Sequence, residues 1–273
     1  MTHHNHLSIS IALSPTTASN LEGHTVLATV FFVLVLWNPN TREVNLIPFP
    51  SHTFDPIHQY YGFGVDPNTN DFKVVKLIIN FPHHGFIISY AEVYDFSTNS
   101  WTVIHDVTLP PTNNALLQLY NGCNVLVNGG VYHWLIGYED DFGSILCFDF
   151  RNNQFSKLMA PVKISKTETL LVNDNIVEVN GSLGYIVQHL RQARLEIWVM
   201  NEHKWTKTHS IVLPKEILIL GVLKDGNQLL GRKGKQRLII YNLIAQPVHQ
   251  FPVQVCLDSP IEKYVESIVP LSA

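Results

Sequence analysis

Apolar positions along the chain fall in short runs, many alternating with polar residues and several continuous. They rarely recur at the three-and-four spacing of an amphipathic helix. The runs are rich in Val, Ile, Phe, Tyr and Trp and are bounded by Asn, Asp, Gly and Pro, which predicts an all-β chain built as a sandwich, barrel or propeller. One run decides among these because it repeats. Aligned on an aromatic, it reads WNPNTREV (37–44), YDFSTNSW (94–101), FDFRNNQF (148–155), WVMNEHKW (198–205) and YNLIAQPV (241–248). Each copy has an aromatic first and a large apolar residue seven positions later, and successive copies start 57, 54, 50 and 43 residues apart. Four of the five place Asn or Asp second, where the side chain can hold its own backbone in a turn.

A second element precedes most copies: a turn with glycine, then an apolar strand. It appears as NGGVYHWLIG (128–137), NGSLGYIVQ (180–188) and DGNQLLG (225–231), with Glu22-Gly23 opening the first unit more weakly. The second unit has an extra hairpin, GFGVDPNTNDFKVVKL (62–77), that supplies its inner strands. This fixed order, recurring at blade length, predicts a kelch-like β-propeller of five to six blades. A four-stranded blade buries both faces only against its neighbours. Trp37, Tyr94, Trp101, Phe148, Phe155, Trp198, Trp205 and Tyr241 are therefore expected to fill the wedges between blades. Tyr264–Val269 is expected to close the ring by pairing in the blade of residues 26–37, joining N- and C-terminal strands.

Composition narrows the function classes. The 273 residues are 46% hydrophobic and 15% charged, as in a packed globular protein. A net charge of -4 gives no bulk electrostatic case for nucleic acid. The apolar run Val26–Trp37, at 12 residues, is too short to span a bilayer and reads as a buried strand, so no membrane partner is expected. Cys123, Cys147 and Cys256 lack metal spacing and fit a reduced protein, cytoplasmic or nuclear. No cofactor or metal site is read: His3, His4 and His6 sit in a polar tail, and His83 and His84 lack Cys or carboxylate companions. Gly226 to Gly231 fails as a phosphate loop because no Lys follows the second glycine directly.

The stretches LWNPNTREVNLIP (36–48), YYGFGVDPNTNDFKVVKL (60–77), AEVYDFSTNSWTVI (91–104), NGGVYHWLI (128–136), ILCFDFRNNQFSKLMAP (145–161), LEIWVMNEHKWTK (195–207) and EKYVESIVPL (262–271) together resemble the F-box associated domain of plant F-box/kelch-repeat proteins, the S-locus F-box proteins among them. The resemblance runs from about residue 22 to residue 273. It implies a non-catalytic receptor of an SCF-type ubiquitin ligase, whose propeller captures the protein to be ubiquitinated while an F-box docks on Skp1 and, through it, the cullin. Residues 1–21, MTHHNHLSISIALSPTTASNL, lack the F-box pattern and are expected to form an atypical or disordered tail, so docking on Skp1 would need an F-box supplied elsewhere.

Within this frame the loops between the glycine strand and the aromatic strand stand out. They read FPHHGF (81–86), EDDFG (139–143), LRQAR (190–194) and RKGKQ (232–236), histidine-rich, acidic, then basic twice. A scaffold repeats where it packs and varies where it is read out. His83, His84, Glu139, Asp140, Asp141, Arg191, Arg194, Arg232, Lys233 and Lys235 are therefore the candidate partner-binding residues. The alternative is a carbohydrate-acting propeller hydrolase or lectin, which needs two carboxylates across a cleft; Glu139, Asp140 and Asp141 are adjacent in one loop instead. A truncated or decoy product is the third reading.

Overall fold

The computed structural model describes residues 8–15, 30–38, 41–48, 59–80, 87–104, 118–128, 130–138, 141–164, 172–223, 226–234, 237–244 and 248–254. They form 19 strands and, among the described residues, no helix. The strands fall into five sheets of sequential antiparallel neighbours. The first holds β1 (Ser8–Pro15), β2 (Val30–Asn38) and β3 (Glu43–Ile47); the second β4 (Gln59–Val65), β5 (Phe72–Asn80), β6 (Ile87–Asp95) and β7 (Ser100–Ile104). The third holds β8 (Gln118–Val127), β9 (Val131–Tyr138), β10 (Asp141–Asp149) and β11 (Gln154–Ile164). The fourth holds β12 (Val172–Val179), β13 (Ser182–His189), β14 (Arg194–Asn201) and β15 (Lys204–Val212), and the fifth β16 (Ile217–Val222), β17 (Gln228–Lys233), β18 (Arg237–Asn242) and β19 (Val248–Gln254). Residues 8–15, part of the N-terminal tail in the sequence reading, pair antiparallel with β2 from Ser8 against Trp37 to Pro15 against Val30. Tyr264–Val269, the expected closing strand, lies outside the described residues.

The sheets stack face to face in chain order because successive side chains on a strand point to opposite faces. Val74 and Tyr94 pack toward Leu34, Leu36 and Ile47 of the first sheet. Val75, Leu77 and Val93, one residue out of phase, pack toward Trp134, Leu146 and Phe148 of the third. Leu135, Ile145 and Cys147 then meet Tyr185 and Val187 of the fourth. Leu195, Ile197 and Ile186 meet Ile219, Leu229 and Ile239 of the fifth. The first strands of sheets two to five pack side by side at the narrow inner edge. There a side chain has no room: a Cβ on Gly62 would lie 2.8 Å from Trp134 Cζ2.

The repeated aromatics from Tyr94 to Tyr241 occupy the wider, outer part of each wedge and face the preceding sheet. Tyr94 joins the cluster shared with the first sheet, Phe148 and Phe155 that shared with the second, Trp198 and Trp205 that shared with the third, and Tyr241 that shared with the fourth. Two of them also bond across the wedge: Trp101 Nε1 donates to Pro48 O at 2.6 Å, and Trp205 Nε1 to Met159 O at 2.8 Å. Trp37 opposes Val44 in register within the first sheet.

Turn chemistry explains the rest of the motif. Its sixth position is left-handed in four copies, at Arg42, Asn99, Asn153 and His203, with φ between 50° and 64°. Asn tolerates that region best, so it recurs there. Asp149 and Asn242, at the second position, accept from the backbone N–H two residues on, at 2.8 and 2.9 Å. The glycine turn is equally specific. Asn180 and Gly181 have φ of 49° and 79°, the two positive values a two-residue hairpin needs.

Candidate partner-binding face

An antiparallel four-stranded sheet has its first-to-second and third-to-fourth turns at one end and its second-to-third turn at the other. The first end is the repetitive one, and its turns touch from sheet to sheet. A Cβ on Gly130 would lie 3.8 Å from Pro67 Cδ, one on Gly181 3.1 Å from Asn128 Oδ1, and one on Gly226 3.1 Å from Asn180 Nδ2. Sheets two to five are thus aligned end to end, so their opposite ends also share one side of the molecule.

Lys73 pins the repetitive end. Its Nζ lies 3.0 Å from Asp66 Oδ2 and 3.3 Å from Asp95 Oδ1, and it reaches Phe150 O at 3.4 Å and Asn153 Oδ1 at 3.5 Å in the next sheet. Burial opposes the charge on both Lys73 and Asp66. The bonds outweigh it, holding the ammonium above its ordinary value and the Asp66 carboxyl, which also accepts from Asn68 N, below its own.

The other end carries the variable connections. The β13–β14 turn presents Arg191 exposed. Arg194 opens β14, with Nη2 3.4 Å from Glu196 Oε1, an oxygen that also lies 3.0 Å from Lys207 Nζ. Lys207 Nζ sits 4.7 Å above the Trp198 ring, whose Nε1 donates to Glu196 Oε2 at 3.3 Å. Burial would raise the Glu196 carboxyl, but Lys207 and Arg194 hold it below its ordinary value. Arg232 and Lys233 end β17, and Lys233 Nζ lies 3.6 Å from Glu216 Oε2. Asp141 opens β10. His83, His84, Glu139, Asp140 and Lys235 lie outside the described residues.

The structure therefore brings Arg191, Arg194, Arg232 and Lys233 to one end of two adjacent sheets. It adds two exposed cations that the loop boundaries left out: Lys215, between β15 and β16, and Arg237, which opens β18 opposite Lys233. Arg237 falls one residue beyond a variable loop and Lys215 lies in the connection between the two sheets, so a search confined to those loops passes over both.

A set of amides, Gln188 buried and Asn173 and Asn175 half-buried, was also missed. Gln188 donates to Ile217 O at 2.6 Å and accepts from Ile219 N at 3.0 Å. Asn173 donates to Ile219 O at 3.2 Å and Asn175 to Leu220 O at 3.3 Å. These side chains act as strand partners for the inner edge of β16 and lock the fifth sheet to the fourth. Their signal was present as VNDN (172–175), polar residues where a buried strand should be apolar.

Buried charge elsewhere is committed to packing. Lys76 Nζ lies 3.5 Å from Glu92 Oε2 between the first and second sheets, and burial pushes the ammonium below its ordinary value. Tyr185 donates to Asp174 Oδ2 at 2.6 Å. Among the described residues, no three His, Cys, Asp or Glu side chains gather as metal ligands. Among the described residues, no helix is long and apolar enough to cross a membrane.

The model of the F-box associated β-propeller domain matches residues 26–246. The chain is 22% identical to F-box protein CPR1 of Arabidopsis thaliana, over 86% of this chain and 63% of that protein. It is 26% identical to an F-box/LRR-repeat protein of the same plant, over 87% of this chain and 58% of the relative. A putative F-box/kelch-repeat protein, also from Arabidopsis thaliana, is 24% identical over 72% of this chain and 51% of its own length. The chain thus spans between half and two thirds of these relatives. Among solved structures, an oligogalacturonate lyase of Vibrio parahaemolyticus matches 80% of this chain and 61% of its own at 12% identity, with a TM-score of 0.43, a likeness that says nothing of chemistry. The five packed sheets, the repeated motif and the match over residues 26–246 have one reading: the chain belongs to the F-box associated β-propeller family.

Proposed function

We propose that this chain is the target-capturing domain of an SCF-type ubiquitin ligase receptor, non-catalytic, at work in the cytoplasm or nucleus. The relatives' names supply the F-box association. The observation that carries the reading is the contrast between the two ends of the sheets. At one end turns of like sequence interlock, while the other carries connections whose sequences differ in charge and whose described cations Arg191, Lys215 and Arg237 are exposed. Capture at the variable end leaves every inter-sheet contact intact. Skp1 and the cullin join through an F-box, in whichever chain carries it.

The finer architecture we infer is a ring of five blades. The first sheet has three strands where the others have four, and β1 has a free inner edge among the described residues. In sheets two to four, each outer strand hands the chain to the inner strand of the next sheet. The chain leaving β19 at Gln254 continues the same path, and Tyr264–Val269 fills the missing inner place. In this arrangement Val44 and Leu46, 59% and 63% exposed, edge the wedge between the fifth and first sheets.

The test is reconstitution: the chain fused behind a functional F-box, incubated with Skp1, cullin, the ubiquitin cascade and plant extract. Ubiquitinated proteins that appear only with the fusion support the reading. A fusion that assembles with Skp1 yet modifies nothing beyond the F-box-only control refutes it.

A further inference from the structure

The cations of this chain are not spread evenly. Residues 190–243 hold ten Lys and Arg against four Asp and Glu, a net of +6, while the rest hold eight against 18, a net of -10. The strand register places most of that excess at the variable end of the fourth and fifth sheets. Arg191 lies in the β13–β14 turn, Arg194 opens β14, Lys215 lies between β15 and β16, Arg232 and Lys233 end β17, and Arg237 opens β18.

Backbone hydrogen bonds make these segments one surface. Leu213 N donates to Ala193 O at 2.7 Å, joining the β13–β14 turn to the connection that carries Lys215. Gly234 N donates to Glu216 O at 3.0 Å, joining that connection to the end of β17. The Gln188 bonds to Ile217 and Ile219 tie the two sheets beneath it. Among the described residues at this end of the fourth and fifth sheets, Glu196 and Glu216 are already partnered by cations. Glu196 is buried and shared by Arg194 and Lys207, and Glu216 meets Lys233 at 3.6 Å through exposed side chains. Arg191, Lys215 and Arg237 are exposed.

We propose that this surface is the docking site for a carboxylate-rich segment of the captured protein. The inference rests on the receptor reading above and deepens it by naming the chemistry of the partner. Rigid backbone ties hold the cations in place, so an acidic segment finds them pre-arranged. Guanidinium groups at three or more positions suit carboxylates through paired N–H donors. The negative remainder of the molecule repels the same segment elsewhere, which confines it to this end. A nucleic acid would meet the same cations, but a phosphate backbone longer than the patch would also run over surface of net negative charge.

The experiment uses the full chain and two labelled decapeptides, one glutamate-rich and one lysine-rich, plus a single-stranded RNA of ten nucleotides. Three proteins are compared: the unchanged chain; Arg191→Glu with Lys215→Glu and Arg237→Glu; and a control with three reversals at the repetitive end, Arg42→Glu, Arg151→Glu and Lys204→Glu. All are checked for an unchanged melting curve. The glutamate peptide should bind the unchanged chain and the control alike, and lose about tenfold or more in affinity for the first variant, as removal of a complementary charge patch does. Equal losses in both variants, no loss in either, or RNA bound as tightly as the peptide would each overturn the proposal. Should the first triple variant also fold poorly, Arg191→Gln with Arg237→Gln removes charge without adding any and should still weaken the peptide severalfold. The receptor reading is scored separately by the fusion's ubiquitination products. Their absence with peptide binding intact removes that reading and leaves the patch; their persistence with peptide binding absent does the reverse.

Discussion

Replacing Lys73 by Met should cost this fold more than any exposed charge change, and the structure sets the size. Lys73 is 8% exposed and bonds two carboxylates in its own sheet and two oxygens in the next. Removing one partner of a buried ion pair costs about 3–5 kcal/mol, because the other charge stays behind unpaired. Here the remnant is softened: Asp66 keeps the Asn68 N–H at 2.8 Å, and Asp95 is one-fifth exposed. A loss of roughly 2–4 kcal/mol is therefore expected, a large share of the ~5–15 kcal/mol that holds a domain together. Urea unfolding at pH 7 reads it as a lower midpoint with the slope unchanged. The sign of the pH dependence follows from the pair. In the unchanged chain Asp66 is held below its ordinary value, so its contribution is full above that value and fades as pH falls through the lowered one. In the variant the part of that contribution owed to Lys73 is gone while the Asn68 bond remains, and the difference between the two proteins shrinks in acid. Adding Asp66→Asn should recover part of the loss, since it removes the stranded charge. A cost below about 0.5 kcal/mol, the range of an exposed pair, would refute the view of Lys73 as the pin between the second and third sheets.

Other expectations follow from the same contacts. Gln188→Leu strands Ile217 O and Ile219 N at the fourth and fifth sheets, at about 1–3 kcal/mol for each unmet group, and should speed hydrogen exchange in β16 before β13. His133 is buried in the third sheet with no partner on Nδ1, and burial brings its imidazole down to about 4. Because the folded value lies below the unfolded one, stability should be full above about pH 6.5 and decline toward pH 4, and His133→Leu should flatten that part of the curve. Gly181→Ala meets both a φ of 79° and the Asn128 side chain, and should destabilise by about 1–3 kcal/mol in urea unfolding. Deleting residues 262–273 should lower the melting temperature by several degrees, as loss of a ring-closing strand requires; an unchanged value contradicts the five-blade ring.

The periodic part of this fold is legible in the sequence because packing repeats. The aromatic at the head of the motif recurs five times, and glycine recurs in three of the inner turns, at Gly130, Gly181 and Gly226. The left-handed sixth position shows through Asn99 and Asn153, though Arg42 and His203 disguise it. What one sequence hides is contact between units. Nothing in the order of residues says that Gln188 faces the backbone of Ile217, or that Leu213 hydrogen-bonds Ala193 and so carries Lys215 beside Arg194. The strand at Ser8–Pro15 was hidden for another reason. Its Ser residues alternate with Ile9, Ile11 and Leu13, a period-two pattern in a stretch whose polar neighbours read as tail.

The central claim is that the variable end captures and the repetitive end only packs. Its most direct measurement compares two charge-reversed forms of the chain fused to an F-box, with ubiquitinated plant proteins as the readout. Reversal at Arg191, Arg194, Lys233 and Lys235 should abolish capture while the melting curve holds, and reversal at Arg42, Arg151 and Lys204 should leave capture as it was. Capture that survives the first set, or is lost equally with the second, contradicts the account.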